Sequence, residues 1–105
     1  MIKLDLRTGL TAELIANTSP PPINGCRYST PCIVGAMMTE DQRAVVAGDM
    51  DDDHIGILFT GNVAWAPEDQ QDDFVALQEA YDASDVKPER FKRVAYGLLE
   101  IYAPC

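Results

Sequence analysis

The sequence predicts a small, mainly α-helical domain of about five helices that occupies residues 1–105 as one unit. Its length of 105 residues fits a single domain. Its hydrophobic fraction of 47% is sufficient for a core without disulfides or a metal. Apolar residues recur at helical spacing near the C-terminus. These residues are Phe91, Val94, Ala95, Leu98 and Tyr102. A short N-terminal strand or a hairpin near residues 55–66 is compatible with this class.

The N-terminal segment combines strand and helix signals. Residues 2–7 alternate between apolar and polar types, which is the period of a half-buried strand. Ile2, Leu6 and Leu10 are spaced four residues apart, so a helix over this segment is the alternative. Residues 11–17 predict a short helix capped by Thr11. The contiguous prolines 20–22 then predict a rigid loop, because proline fixes φ and lacks an amide donor.

Residues 29–48 carry two sets of helix start signals. A capping Ser29 or Thr30 precedes Pro31, and the apolar run that follows predicts a buried helix through Met38. Residues 39–42 have the Thr-x-x-Gln pattern of a capping box. We therefore expect a second helix over residues 42–47, ended by Gly48.

Residues 55–59 favour a helix over a strand. The aspartates before them suit the positive end of a helix dipole, and Gly61 would be the left-handed residue after it. The alternative is a hairpin in which residues 55–59 and 63–66 flank a turn at residues 60–62.

The C-terminal third predicts two longer helices. Residues 69–83 form the clearer one, with acidic residues in its first turns. The last helix, residues 89–102, is apolar on nearly all sides. Such a helix is either central or covered by another subunit. The sequence therefore leads to the hypothesis of a homodimer formed through the C-terminal helix.

The negative charge is concentrated in the middle of the chain. Residues 36–85 carry Arg43 against thirteen acidic residues, whereas residues 1–35 and 86–105 are weakly basic. A net charge of −9 disfavours direct nucleic-acid binding, which relies on Lys and Arg. An acidic surface would instead attract a basic protein. The candidate partner-binding residues are Asp51, Asp52, Asp53, His54, Asp69, Asp72 and Asp73.

The sequence contains no recognisable catalytic or cofactor motif, so it favours a non-enzymatic role. Its single histidine, His54, follows aspartates that would hold it protonated. Residues 49–60 resemble an EF-hand loop only in part, because His54 and Thr60 replace the required Gly and Glu. A looser site from Asp51, Asp53 and His54 is the metal alternative, and no metal or cofactor is expected.

A second class of function is a small-ligand or enzyme domain with an apolar pocket. The candidate lining residues are Met37, Met38, Phe59, Trp65 and Tyr81. The chain lacks an apolar run long enough for a membrane span, and its start does not resemble a signal peptide. We therefore expect a cytoplasmic protein with reduced thiols at Cys26, Cys32 and Cys105.

The segment PCIVGAMMTEDQRAVV, residues 31–46, resembles segments of small orphan proteins carried by phages and integron gene cassettes. The resemblance implies a mobile-element accessory protein and transfers no functional residue. The leading hypothesis is an acidic, non-enzymatic interaction module, and one form of it is a nucleic-acid mimic that occupies a DNA-binding protein.

Overall fold

Two short parallel strands join the start of the chain to its middle. The computed structural model describes residues 2–18, 33–49, 55–84 and 86–102. Strand β1 (Ile2–Lys3) pairs with β2 (Ala64–Trp65), with Ile2 opposite Ala64. The Leu4 N–H extends the pairing by donating to the Trp65 carbonyl at 2.7 Å. The expected N-terminal strand is confirmed. The prolines 20–22, the three cysteines and residues 51–54 lie outside the described residues.

Two short helices, α1 (Leu6–Gly9) and α2 (Ala12–Asn17), follow β1. The Asp5 Oδ1 caps α1 by accepting a hydrogen bond from the Arg7 N–H at 2.8 Å. The segment before Leu10 is therefore a strand first and a helix afterwards. Thr11 caps α2, as predicted, because its Oγ1 accepts from the Leu14 N–H at 3.0 Å.

The helix expected through Met38 is wrong over the described residues, where the chain forms a 3₁₀ turn at Gly35–Met37. Met38 is extended, with φ −92° and ψ 154°, so the turn cannot continue as an α-helix. The capping box at Thr39 then starts a new helix directly after Met38.

Helix α3 (Glu40–Asp49) begins with the predicted capping box. The Thr39 N–H donates to Gln42 Oε1 at 2.9 Å, and the Gln42 N–H donates to Thr39 Oγ1 at 3.2 Å. Gly48 does not end the helix. A Cβ at Gly48 would contact nothing within 4 Å, so this position is open.

Residues 55–60 form a helix, α4 (Ile55–Thr60), and the hairpin alternative is wrong. The left-handed residue after it is Asn62, with φ 58°, and not Gly61. The Gly61 N–H already donates to the Ile57 carbonyl at 2.9 Å and so extends the helical bonding by one residue. The left-handed conformation therefore falls on Asn62, the residue type that tolerates it best after glycine.

Helices α5 (Glu68–Asp82) and α6 (Pro88–Tyr102) are the longest in the described chain and pack against each other. Helix α5 also contacts α4, and α6 also contacts α1 and α2. Side chains from every part of the described chain meet in one core. Its largest fully buried apolar members are Phe74, Leu6, Ile33, Ile55, Leu58, Leu77, Val34 and Val46. The prediction of a small, mainly α-helical domain is confirmed.

Candidate functional site

The outward face of α5 carries exposed acidic residues towards both ends of the helix. The helix contains six acidic residues and no Lys or Arg. Four of them are exposed and share one side: Glu68, Asp72, Glu79 and Asp82. At 3.6 residues per turn these four side chains leave the helix within a sector of about 80°, and they span about 21 Å along its axis. We call this surface the α5 acidic face.

The buried side of α5 is anchored by two glutamines. Gln70 is fully buried, and its Oε1 accepts from the Leu6 N–H at 2.8 Å, at the start of α1. Gln78 is 2% exposed, and its Oε1 accepts from the Ile55 N–H at 2.6 Å, at the start of α4. Both bonds satisfy amides that have no partner inside their own helix. The acidic face is therefore held on a fixed scaffold.

Residues in the first two turns of α5 contact residues near both ends of the chain. Asp69 lies 3.8 Å from Arg7, and the Arg7 guanidinium lies 5.4 Å from the centre of the Tyr102 ring. The Tyr102 hydroxyl donates to the Asp73 carboxylate. This bond, with smaller contributions from burial and nearby carboxylate charge, raises the pKa of Tyr102 to about 12.

The predicted partner-binding residues therefore fall into three groups. Asp51, Asp52, Asp53 and His54 lie outside the described residues. Asp69 and Asp73 contact Arg7 and Tyr102 within the domain. Asp72 is exposed on the α5 acidic face. The sequence-based prediction did not include Glu68 and Glu79, which lie on the same surface. Helical spacing alone could have identified them.

A shallow groove beside the α5 acidic face lies between α4 and α5. Its volume is about 250 Å³, and it is lined by Gly56, Phe59, Thr60, Gln71, Asp72 and Val75. Phe59 is fixed in the wall by edge-to-face contact with Phe74, with ring centres 5.8 Å apart. Ile57, also on α4, is 52% exposed. The apolar side chains of Phe59 and Val75 therefore line the same groove as Asp72.

The five residues predicted to line an apolar pocket have different positions. Met38 and Tyr81 are buried in the core, and Met37 packs partly buried against it. Trp65 is 46% exposed on the sheet. Phe59 alone of the five lines the groove between α4 and α5.

The C-terminal helix owes most of its apolar content to its central position. Phe91, Ala95 and Leu98 are buried, and α5, α1 and α2 all contact this helix. Tyr96 and Ile101 stay 44% and 71% exposed. The homodimer through α6 stays a prediction.

Comparison with protein-family models, curated proteins and solved structures finds no match. The resemblance of residues 31–46 to mobile-element proteins also stays a prediction. In the part of the chain that the structure describes, no three His, Cys, Asp or Glu side chains are grouped as metal ligands. None of its described helices is both long and apolar enough to cross a membrane.

Proposed function

We propose that this domain is a non-enzymatic interaction module that binds a basic protein segment through the α5 acidic face. The observation that supports this most directly is the alignment of four exposed carboxylates on a helix without a cation. Within the described residues, neither Glu68 nor Asp72 forms an ion pair. A surface of one charge sign raises the rate at which an oppositely charged partner associates.

The groove between α4 and α5 supplies the short-range part of the interaction. Exposed ion pairs contribute little affinity individually because water and salt screen them. Phe59 and Val75 offer apolar contact beside Asp72. We therefore expect a segment with one apolar side chain in the groove and Lys or Arg residues along the helix. Such an apolar anchor with polar surroundings is typical of protein interfaces.

A nucleic-acid mimic is a special form of this proposal, in which the basic partner is a DNA-binding protein. It predicts that duplex DNA and this domain compete for the same partner. A basic partner that binds the domain and DNA simultaneously would favour the general form. The cytoplasmic location and the mobile-element origin remain predictions from the sequence.

The test compares two variants with the same change in charge. The first neutralises the α5 acidic face with Glu68→Gln, Asp72→Asn, Glu79→Gln and Asp82→Asn. The control neutralises four exposed glutamates elsewhere, Glu13, Glu40, Glu89 and Glu100, each to Gln. Partners captured from the source organism with the unaltered domain are identified, and their affinity for each variant is measured by calorimetry.

We expect the α5 variant to lose at least about tenfold in affinity, equivalent to about 1.4 kcal/mol, and the control to lose much less. The affinity of the unaltered domain should fall steeply with salt. Equal losses in both variants would show a net-charge effect and contradict the proposal. The variant Asp51→Asn/Asp52→Asn/Asp53→Asn tests the other acidic segment in the same assay.

A further inference from the structure

The exposed side of α6 carries charged and apolar residues in a symmetric order. Its buried residues point towards the core. Four exposed residues share the opposite side, within a sector of about 100° at 3.6 residues per turn. They are Arg93, Tyr96, Gly97 and Glu100. We call this surface the α6 outward face.

The two charges of this face are unpaired and lie at equal distances from its centre. Within the described residues, neither Arg93 nor Glu100 forms an ion pair. They are two turns apart, about 10 Å along the helix axis. The point midway between them falls between Tyr96 and Gly97. A two-fold axis through this point and perpendicular to α6 would place each Arg93 opposite Glu100 of the partner subunit.

The middle of the face leaves room for a second helix in the same register. The two-fold axis places Tyr96, which is 44% exposed, opposite Gly97 of the partner subunit. A Cβ at Gly97 would contact nothing within 4 Å in its own chain, so the glycine leaves space for a tyrosine ring. At the margin, Ile101 is 71% exposed and lies opposite Lys92 of the partner subunit. The aliphatic part of a lysine can cover such an apolar side chain.

The charges also determine the direction of the second helix. In a parallel pair, Arg93 would face Arg93 of the partner subunit, and Glu100 would face Glu100 of the partner subunit, so both contacts would be repulsive. The antiparallel pair makes both contacts attractive. Contact at α6 also keeps the strongly acidic residues 36–85 out of the interface, which favours association of two chains that each carry a net charge of −9.

We propose that two copies of this chain associate through an antiparallel pair of α6 helices. Each Arg93 pairs with Glu100 of the partner subunit, and the Tyr96 rings pack over the two glycines. One pair of helices about 21 Å long buries less than the 1,200–2,000 Å² of stable dimers, so we expect a Kd on the order of 0.1 mM. The α5 acidic face takes no part in the contact, so the dimer would carry two such faces.

Self-association of the complete chain is measured by sedimentation equilibrium between about 10 μM and 1 mM, with a reductant present to prevent disulfides between copies. Arg93→Glu and Glu100→Arg each convert both ion pairs into repulsions and should weaken the dimer at least about tenfold. The controls Lys87→Glu and Glu13→Arg make the same charge changes at exposed positions outside α6 and should have much smaller effects.

An equimolar mixture of the Arg93→Glu and Glu100→Arg chains is the decisive sample. Opposite charges then face each other in both ion pairs, so a heterodimer should form with an affinity close to that of the unaltered chain. The double variant Arg93→Glu/Glu100→Arg should also recover self-association, because both pairs are restored with their charges exchanged.

Gly97→Gln tests the register independently of charge. The new side chain would occupy the space of Tyr96 of the partner subunit and should weaken the dimer at least about tenfold. Gly48→Gln is the control, because Gly48 in α3 is equally open in its own chain. Both variants should keep the circular dichroism spectrum and the thermal midpoint of a folded monomer.

Several outcomes would overturn the proposal. One is a monomeric mass at about 1 mM, and another is a mixture of the two charge variants that stays monomeric. A mass that rises beyond the dimer and falls with Asp72→Asn as much as with Arg93→Glu would show that the α5 acidic face of one copy binds α6 of the next. This assay contains no basic partner, so its failure leaves the proposed function of the α5 acidic face unaffected.

Discussion

Helices α5 and α6 both contain 15 residues and pack against each other, yet they are stabilised differently and present opposite charges. Helix α5 buries Gln70 and Gln78, whereas the buried residues of α6 are all apolar. The exposed side of α5 is acidic, and the first half of α6 exposes basic side chains. The comparison teaches that one pair of helices can provide both part of the core and two surfaces of opposite charge.

The largest expected effect concerns the buried glutamines of α5. Replacing Gln70 or Gln78 by Met keeps the volume similar but leaves the buried N–H of Leu6 or Ile55 without its acceptor. Each change should lower the free energy of unfolding by about 2–3 kcal/mol, measured by urea denaturation. The two sites are about 12 Å apart along the helix, so their effects should add.

Gln71→Met is the matched control for this prediction. Gln71 is half-buried, and its Nε2 donates to the Ala66 carbonyl at 3.2 Å. We expect a loss of less than about 1 kcal/mol, because water can replace the lost donor. Losses as small as the control in Gln70→Met and Gln78→Met would show that the buried amides of α5 contribute no more to stability than a half-buried one.

The contacts of these glutamines could not be predicted from local sequence patterns. Capping boxes and helical periodicity act within a few residues, so the capping residues of α2 and α3 and the approximate bounds of α5 and α6 could be predicted. The Gln70–Leu6 bond joins residues 64 positions apart, and no local pattern encodes it. The pairing of β1 with β2 is equally remote. For the site, helical spacing aligns Asp72 with Glu68, but the groove that Asp72 lines together with Phe59 follows only from tertiary packing.

The second prediction concerns the contact between the ends of α5 and α6. Folding raises the pKa of Tyr102 from 10.0 to about 12, mainly because its hydroxyl donates to Asp73. The contribution of Tyr102 to stability is therefore complete below pH 10 and is lost as the pH rises through about 12. Tyr102→Phe should cost about 1 kcal/mol at pH 7, discounted for partial exposure.

Denaturation of both proteins between pH 9 and pH 12 measures this difference, because other titrating groups are common to the two. The stability difference between them should shrink as the pH approaches about 12. A difference that stays constant over this range would show that the ring of Tyr102, and not its hydroxyl, holds the two helix ends together.

The third prediction uses glycine to test whether α6 is covered by another copy. A Cβ at Gly97 would contact nothing within 4 Å, and the same is true of Gly48 in α3. In a monomer, Gly97→Ala and Gly48→Ala should each raise stability by about 0.5–1 kcal/mol, because alanine is the better helix former. If α6 packs against a second copy at Gly97, Gly97→Ala should gain less than Gly48→Ala. A dimeric mass by light scattering would then be required.

The smallest expected effect tests whether the opposite surface charges of α5 and α6 influence stability. The net charge is −9, so neutralising Asp72 on α5, beyond the first turn of the helix, should raise stability at low salt by a few tenths of a kcal/mol. Neutralising Arg93 on α6 should lower it by a similar amount, because the remaining excess of negative charge increases. At about 1 M salt the screening length is roughly 3 Å, and both differences should disappear. Thermal denaturation at low and high salt measures them. Effects of the same sign on both helices would mean that local helix preference outweighs charge, and the electrostatic contrast between α5 and α6 would then have no influence on the folded state.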